Sequence, residues 1–457
     1  MIRRSLVLAL AAALSPMAAN AADLLQVYEM ARNGDPQLAS AESTRLYNKE
    51  GEVQARAALL PQLDGSASIS RSRTEYEGIA GTRTSKSRNY GINGSQTIFN
   101  WSQFARLRAQ RDISKAADFT LDSANNDLIV RTSAAYFNVL VAIESLVAAQ
   151  TNEAAAKKQF DYADKRLEVG LAPITDVHEA RAQYDQARAD TITARNTLAD
   201  SYQALAEITG QPVRNLKALP DDFRPELPPD YSNVDQLVAD AVARNPELKA
   251  QELQVQAAES SVSAARAGHY PTINLSGSVG RSNSWGDISG SGTGTSTSGL
   301  DIDSNQIGLT LSVPIFAGGA TQSAVRQALA QRDMQQDAYE QQKRALDRNT
   351  RNYYQTVVQG ISEVEARRLA VVSAQAAYDA SEVGLEVGTR TVLDVVQNQQ
   401  TLFSAQLNYA QAKYSFLQNR LLLAQATGTL DITQVQDVNR LLTQEAEARL
   451  PDPSALQ

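Results

Sequence analysis

The chain has 457 residues, a formal net charge of −8 and no cysteine. The lack of cysteine excludes disulfides and thiolate-bound metals, and it fits a compartment where stray thiols are a liability. The acidic balance argues against nucleic acid as a partner.

Residues 1–21 have the pattern of a secretory signal peptide. Arg3 and Arg4 precede a short apolar run, and Ala19-Asn20-Ala21 offers a small-residue cleavage site. The run is too short to span a bilayer. No cysteine follows the cleavage site, so we expect no N-terminal lipid anchor. No later segment approaches 18 consecutive apolar residues, so we expect no transmembrane helix, and a membrane-embedded part would have to consist of strands.

The mature chain is predicted to contain two similar halves, because landmarks recur in the same order. The offset between matched positions is 210 at two prolines, 217 at a phenylalanine and 218 at a glycine. The matched pairs are Pro36 and Pro246, Pro61 and Pro271, Phe99 and Phe316, and Gly170 and Gly388. The predicted parts are a first repeat at 22–210, a linker at 211–232, a second repeat at 233–430 and a C-terminal segment and tail at 431–457.

Each half begins with short helices and ends in a long helical hairpin. Asp35 and Asn245 precede prolines, a pattern typical of helix starts. Trp101 to Val169 runs 69 residues without Gly or Pro, which would reach roughly 100 Å as one helix. The hairpin tips are predicted at 170–174 and 388–391.

The helices after the tips repeat every seven residues, which predicts left-handed coiled-coil packing. The apolar columns are Val177, Tyr184, Thr191, Leu198 and Leu205 in the first half and Val395, Leu402, Tyr409, Phe416 and Leu423 in the second. A column of small residues beside them permits close helix approach. The column Arg181, Arg188 and Arg195 is interpreted as a solvated face.

Residues 62–99 and 272–316 are rich in Ser, Gly, Thr and Asn and are predicted to form a strand pair in each half. Alternation is clean from Ile307 to Val313, the weak signature of membrane strands. The basic stretch 83–88 and the stretch 286–292 are interpreted as loops. Aromatic residues expected near strand ends are Tyr76, Tyr90, Phe99, Tyr270, Trp285 and Phe316. An ordinary exposed hairpin remains the alternative.

Four strands per chain cannot close a barrel, and an open sheet edge cannot lie in lipid. If the strands are transmembrane, the chain must oligomerise. Three chains would give twelve strands, an even number within the range of known barrels.

Motifs of common enzymes are missing from the sequence. It has no G-x-S-x-G, no P-loop and no C-x-x-C. His178 and His269 are its only histidines and lie 91 positions apart, so no paired imidazoles stand at metal-ligand spacing. We predict that the chain is not an enzyme and that it has no cofactor and no metal site.

Several motifs together resemble the TolC-type family of outer-membrane efflux and secretion channels over essentially the whole chain. They are AAYFNVL at 134–140, VGL at 169–171, ITDV at 174–177, VPIF at 313–316, VGTRT at 387–391 and LDV at 393–395. The resemblance implies a mainly α fold with a transmembrane β part. In this fold a homotrimer forms a 12-stranded outer-membrane barrel continuous with a long periplasmic α-helical barrel. The linker 211–232 and the terminal segment would form an equatorial belt.

The resemblance also implies a function. The chain would be the exit duct of a tripartite efflux pump or a type I secretion system of a Gram-negative bacterium, with most of its residues in the periplasm. Its partners would be a periplasmic adaptor protein and an inner-membrane pump driven by protons or ATP, and the pump would decide the cargo. The alternative from the residues alone is a secreted trimeric coiled-coil structural or adhesive protein.

The tips would hold the gate of such a duct. The resemblance implies that Arg390 links to Thr175 and Asp176 to keep the entrance shut in the resting state. Asp394 would form an acidic constriction in the trimer. The family pattern has a second Asp where this chain has Gln397, which weakens the expectation of strong cation binding. The alternative is that Asp176 and Asp394 only stabilise helix starts.

The resemblance further places adaptor docking at the tips. The residues implied are Val169, Gly170 and Leu171 at the first tip and Val387, Gly388 and Thr389 at the second. The glycines are also expected at a tight turn that requires a positive φ. Leu385 stands where the family carries an aromatic residue, and the loss of that partner is expected to loosen the closed state.

Overall fold

The computed structural model describes residues 22–75, 82–171, 173–227, 233–289 and 297–450. The predicted signal peptide, Tyr76, the end of the linker at 228–232 and the tail at 451–457 lie outside these ranges. The chain divides into two compact units. The helical unit comprises Met1–Ala41, Leu121–Pro246 and Lys343–Gln457, and the sheet unit comprises Glu42–Thr120 and Glu247–Gln342.

The elements follow the same order in both halves of the chain. The helices are α1 Leu24–Gly34, α2 Pro36–Ala57, α3 Trp101–Glu168, α4 Ile174–Thr209, α5 Val234–Arg244, α6 Pro246–Arg266, α7 Ala320–Glu386, α8 Val392–Ala426 and α9 Ile432–Leu441. The strands are β1 Gln62–Glu75, β2 Thr82–Phe99, β3 Lys217–Ala218, β4 Thr272–Ser289, β5 Thr297–Ser312 and β6 Gln444–Glu445. Short 3-10 turns lie at Ala267–His269 and Glu447–Arg449.

The residues before the two predicted proline starts both make side-chain hydrogen bonds. The Asp35 carboxylate accepts a hydrogen bond from the backbone N–H of Leu38 at 3.1 Å, so it caps α2 as predicted. The side-chain amide of Asn245 donates to the carbonyls of Gln425 and Ala426, at 3.4 and 3.2 Å. Asn245 therefore ties the end of α8 to the start of α6 within the helical unit.

The sheet unit contains one four-stranded antiparallel sheet in the order β1-β2-β4-β5. Ile92 faces Gly65 on one side and Val279 on the other, so these residues lie on the same face. We name this the apolar face, and its exposed apolar side chains are Leu63, Ile69, Tyr90, Ile92, Val279, Ile307, Leu309 and Leu311. The opposite, polar face carries Ser68, Asn89 and Ser282, which are joined by hydrogen bonds of 3.2 and 2.7 Å.

The strands are longer than the alternation in the sequence indicated. The basic stretch 84–88 and residues 286–289, both interpreted as loops, lie inside β2 and β4. Tyr90, expected near a strand end, consequently lies within β2, directly opposite Ala67. These predictions were wrong because they followed apolar alternation, whereas backbone pairing continues through polar and charged residues.

The core of the helical unit surrounds Tyr136, which is fully buried. Its hydroxyl donates to the carbonyls of Lys217 and Ala22, at 2.7 and 3.2 Å, and accepts from the Lys217 N–H at 2.9 Å. Ala22 bridges Leu216, and β3 pairs with β6. One phenol therefore joins α3 to the start of the mature chain and to the linker, while the C-terminal segment pairs with the same linker strand.

One helix in the described part of the chain, α3, is long and apolar enough to cross a membrane by length and composition. In its most apolar stretch, 67% is buried inside the protein. The apolarity of this stretch is therefore explained by core packing, around residues such as Leu140 and Ile143. The stretch contains no run of 18 uninterrupted apolar residues, because single polar residues interrupt it.

Candidate functional site

The two helix breaks, 218 positions apart in the sequence, come together in one apolar cluster of the helical unit. We name it the tip cluster. Its buried members are Ala163, Val177, Ala180, Leu385, Val392, Val395 and Val396, with Phe160, Leu167 and Tyr378 packed against them. Val177 and Val395 begin the predicted heptad columns, so the coiled-coil seam starts at this cluster.

Both breaks end the incoming helix in the same way. Gly170 has φ +73° and Gly388 has φ +77°, the left-handed region that favours glycine. The Leu171 N–H donates to the Arg166 carbonyl at 2.8 Å, and the Thr389 N–H donates to the Gly384 carbonyl at 2.8 Å. Together with the glycine N–H bonds one turn back, these are Schellman motifs, which satisfy the last carbonyls of a helix. The expectation of a positive φ at both glycines is confirmed.

Replacing Gly170 or Gly388 with Ala is expected to destabilise each tip locally by about 1–2 kcal/mol. In the left-handed conformation the Cβ of an L-residue lies too close to the following carbonyl oxygen. The space is open, with nothing within 4 Å of an added Cβ at either glycine, so the cost comes from φ alone. Faster hydrogen exchange at the Leu171 and Thr389 amides would measure it. Gly65→Ala is the control, since Gly65 also has open space but no positive φ, and equal exchange in all variants would contradict the prediction.

The outgoing helices start differently. At the second tip Thr391 and Asp394 form a capping box. The Asp394 carboxylate accepts from the Thr391 backbone N–H and hydroxyl, both at 2.9 Å, and the Asp394 N–H donates to the Thr391 hydroxyl at 3.2 Å. At the first tip Pro173 is the N-cap and makes no side-chain bond. Thr175 donates only a long 3.5 Å bond to Asp176.

The capping box sets the charge state of Asp394. The backbone and side-chain hydrogen bonds from Thr391 lower the pKa of Asp394 below its ordinary value, and the positive charge of Arg390 lowers it further. Asp394 is therefore a carboxylate held in a fixed position at the second tip. The helix-start interpretation of Asp394 is satisfied within one chain, and its role in a constriction stays a prediction.

Arg390 is exposed and its backbone N–H donates to the Gly384 carbonyl at 3.1 Å. Among the described side chains, no carboxylate lies within ion-pair distance of its guanidinium. The predicted link to Thr175 and Asp176 is thus not formed inside a single chain. Gln397 is exposed, whereas Leu385 is buried in the tip cluster.

The predicted docking residues leave apolar surface uncovered in the single chain. Val169 and Leu171 are each 68% exposed and Val387 is 69% exposed. Ile174 and Leu393 add further exposed apolar area beside them. Apolar side chains at the outer end of a helical hairpin are the feature expected of a protein-binding surface.

Sequence reasoning missed a buried charge cluster in the helical unit, which we name the Lys413 cluster. Lys413 is only 2% exposed and its ammonium lies 3.6 Å from the Glu144 carboxylate. Arg449 pairs with the same carboxylate at 2.9 Å and with Asp221 at 2.8 Å. Burial lowers the pKa of Lys413, and the Glu144 charge opposes that shift. The signal in the sequence was that Lys413 is the one lysine between Val392 and Ala426.

The Lys413 cluster borders a cavity of about 810 Å³ that also exposes Arg368 and Tyr409. The cluster joins α3, α8, the linker and the C-terminal 3-10 turn, so it fixes the terminal segment to the helices. Among the described residues, no group of three or more His, Cys, Asp and Glu side chains is arranged to hold a metal ion.

The model of the family described as outer membrane efflux protein matches residues 27–211 and 237–429 of the chain. The outer membrane protein TolC of Escherichia coli strain K12 is 35% identical over 430 residues, which cover 93% of this chain and 85% of that protein. TolC of Vibrio cholerae serotype O1 is 34% identical over 424 residues, which cover 92% of this chain and 93% of that protein.

The crystal structure of CusC superposes with a TM-score of 0.74 at 20% identity, covering 89% of this chain and 92% of CusC. At that identity the likeness shows the fold alone. The family match and the TolC relatives extend over nearly the whole chain. The chain therefore belongs to the outer membrane efflux protein family and is a protein of the Gram-negative outer membrane.

Proposed function

We propose that three copies of the chain form a non-enzymatic exit duct through the outer membrane, for an efflux pump or a type I secretion system. The observation that carries the proposal is the sheet of the sheet unit. One face presents exposed Leu, Ile and Val side chains and the other presents Ser, Asn and Gly. This is the division between a lipid-facing and a lumen-facing surface.

The sheet edges support the trimer. Within the described strands, β1 and β5 each pair on one side only, and an unpaired edge is not tolerated in the hydrocarbon region. Pairing β5 of one chain with β1 of the next satisfies both edges, and three chains give twelve strands. The alternative, a secreted structural protein, gives no reason for one sheet face to expose apolar side chains over its helix-side part.

The gate is proposed to lie at the tips of the helical unit. Arg390 of one chain is proposed to bond to Thr175 and Asp176 of its neighbour, because all three reach solvent around the tip cluster and form no such bond within a chain. A charge-assisted bond of this kind is roughly twice as strong as a neutral one. The fixed carboxylate of Asp394, repeated three times, would favour cations at the constriction.

Adaptor docking is proposed at the exposed apolar side chains of the two tips, Val169, Leu171 and Val387. Docking there would cover apolar area and pull on the helix ends that carry the gate. The partners remain those implied by the resemblance, a periplasmic adaptor and an inner-membrane pump driven by protons or ATP.

Single-channel currents in a planar bilayer test the duct and the gate together. Wild-type trimers are expected to give small, cation-preferring openings, and Arg390→Ala is expected to enlarge them because the link to the neighbour is lost. Arg188→Ala is the matched control, since Arg188 lies on the exposed face of α4 away from the tips.

Equal currents in wild type and Arg390→Ala would be consistent with the proposed duct but would overturn the proposed bond from Arg390 to the neighbouring chain. A correctly folded trimer that gives no currents, or a chain that is released into the medium instead of the outer-membrane fraction, would overturn the duct and favour the structural protein.

A further inference from the structure

The apolar face of the sheet changes character along its strands. The helices join the sheet at one end, and the hairpin connections after β1 and β4 lie at the other. From the helix end, the rows from Ile273 to Val279 are mostly apolar, with Gln96 and Asn305 as polar exceptions, and Tyr90 follows opposite Arg281. The nine residues from Ile273 to Arg281 are at the lower end of the roughly 9–11 residues with which a tilted strand crosses a membrane.

Beyond this band the same face becomes basic. Four exposed basic side chains lie on β1 and β2 toward the hairpin end, and we name them the basic cluster: Arg71, Arg73, Lys86 and Arg88. Arg71 stands directly opposite Lys86, Arg88 lies one row closer to the band, and Arg73 one row further out. Facing side chains in such pairs have Cβ atoms about 4.5–5.5 Å apart, and like charges there are destabilising.

The neighbouring strands show how an ordinary exposed charge is compensated. On β4 and β5, Arg281 pairs with Asp303 at 3.3 Å, and Asn283 donates to Asp301. No carboxylate among the described side chains lies within ion-pair distance of the basic cluster. Arg88 instead lies over the Trp285 ring, with its guanidinium carbon 4.9 Å from the ring centre. The like charges of the cluster repel one another, and an external anion bound among them would reduce that repulsion.

We propose that the basic cluster binds the phosphate groups of the outer-leaflet glycolipid, lipopolysaccharide. The cluster lies on the lipid-facing side, just past an apolar band and its aromatic border, which is the depth of lipid headgroups. The planar fork of arginine matches phosphate oxygens, and lysine adds a mobile point charge. This inference rests on the membrane placement of the sheet in the proposed function.

The test titrates purified trimers with lipopolysaccharide and compares wild type with the triple variant R71Q/K86Q/R88Q. Each basic side chain near an anionic lipid surface contributes appreciably to binding, so the triple variant is expected to bind at least about tenfold more weakly. The matched control is R281Q/D303N, which removes an ion pair from the same face without changing net charge. It is expected to bind as wild type does.

Two further titrations separate the lipid from free phosphate. Dephosphorylated lipopolysaccharide is expected to bind wild type as weakly as the intact glycolipid binds the triple variant. Inorganic phosphate at the same concentration is expected not to displace the glycolipid, since it lacks the acyl chains that the apolar band holds. Displacement by inorganic phosphate would overturn the lipid assignment.

Single-channel currents of the same variants test the duct independently of glycolipid binding. Normal currents together with weakened glycolipid binding in the triple variant would support glycolipid binding by the basic cluster. Unchanged glycolipid binding would overturn that proposal, whatever the currents are. If the triple variant does not trimerise, the glycolipid titration is repeated with Lys86→Gln alone. This single change removes the repulsion between Lys86 and Arg71, so the variant is expected to trimerise. A several-fold loss of affinity is then expected, and wild-type affinity would overturn the proposal.

Discussion

Replacing Glu144 with Ala is expected to lower the free energy of unfolding by about 3 kcal/mol, because it leaves the buried ammonium of Lys413 without its counter-charge. Removing one partner of a buried ion pair typically costs about 3–5 kcal/mol, and the lower end applies because Glu144 itself is partly exposed, with 22% of its side chain accessible. The loss also removes one of the two carboxylates that pair with Arg449, which fixes the C-terminal turn. The midpoint of thermal unfolding of the detergent-solubilised protein measures the effect.

The double variant E144A/K413M separates the charge from the packing. A methionine fills similar volume without a charge to compensate, so the double variant is expected to recover most of the lost stability. Asp161→Ala, which removes an exposed carboxylate from the same helix, is the control and is expected to change little. A double variant as unstable as Glu144→Ala would show that the ion pair is not the cause.

Raising the pH above about 10 is expected to destabilise the helical unit steeply through its buried phenols. Burial raises the pKa of Tyr136 and Tyr414 far above the ordinary value of a tyrosine. Above the pKa of about 10 of an unfolded tyrosine, the unfolded chain releases protons that the folded chain retains. Stability then falls by about 1.4 kcal/mol per pH unit for each phenol, or about 2.7 for the two.

The lowered pKa of Lys413 acts in the opposite direction at milder alkaline pH. The unfolded chain holds that proton up to the ordinary lysine pKa of about 10.4, while the folded chain loses it earlier, so stability rises with pH over that interval. The expected profile is a shallow rise followed by a steep fall.

Tyr136→Phe isolates one phenol of this profile. It is expected to cost about 1–3 kcal/mol at neutral pH, because the Lys217 N–H loses its buried acceptor. It is also expected to reduce the alkaline slope by about 1.4 kcal/mol per pH unit. Tyr162→Phe, at an exposed tyrosine, is the control. An unchanged alkaline slope in Tyr136→Phe would contradict the assignment, even if neutral stability fell.

The sequence predicted best where a local rule acts. Gly170 and Gly388 stand where a helix must end in the left-handed region, and both do. The heptad column from Val395 to Leu423 is largely buried, and the arginines at 181, 188 and 195 are exposed, as their spacing predicted. These outcomes depend on backbone conformation and helix periodicity, which are encoded within a few turns of the chain.

The sequence predicted less well where a distant partner decides. The stretch at 84–88 forms strand because it pairs with β1 and also with β4, and the β4 pairing joins positions about 200 residues apart, a contact that no local pattern shows. The burial of Lys413 depends on Glu144, which is distant in the sequence and pairs with both Lys413 and Arg449. Arg390 stays a prediction for the same reason, since its proposed partner lies on another chain.

The alternating faces of the sheet explain how the two halves could diverge in length. Pro61 and Pro271, one residue before β1 and β4, are 210 positions apart, whereas Phe99 and Phe316 are 217 apart. An odd number of residues inserted inside a strand would turn its apolar side chains toward the opposite face. Yet Leu63 and Ile273, which are 210 positions apart, lie on the same face of the sheet. Ile92 and Leu309, which are 217 positions apart, also lie on that face.

The seven extra residues therefore lie at the hairpin end, where they lengthen the outer ends of β4 and β5 and their connection, and each strand keeps its register from its own helix-side anchor. Evolution could lengthen the outer hairpin by any number of residues, odd or even, without exposing polar side chains to lipid. The same connection between β4 and β5 is where a foreign peptide of arbitrary length is expected to be accepted.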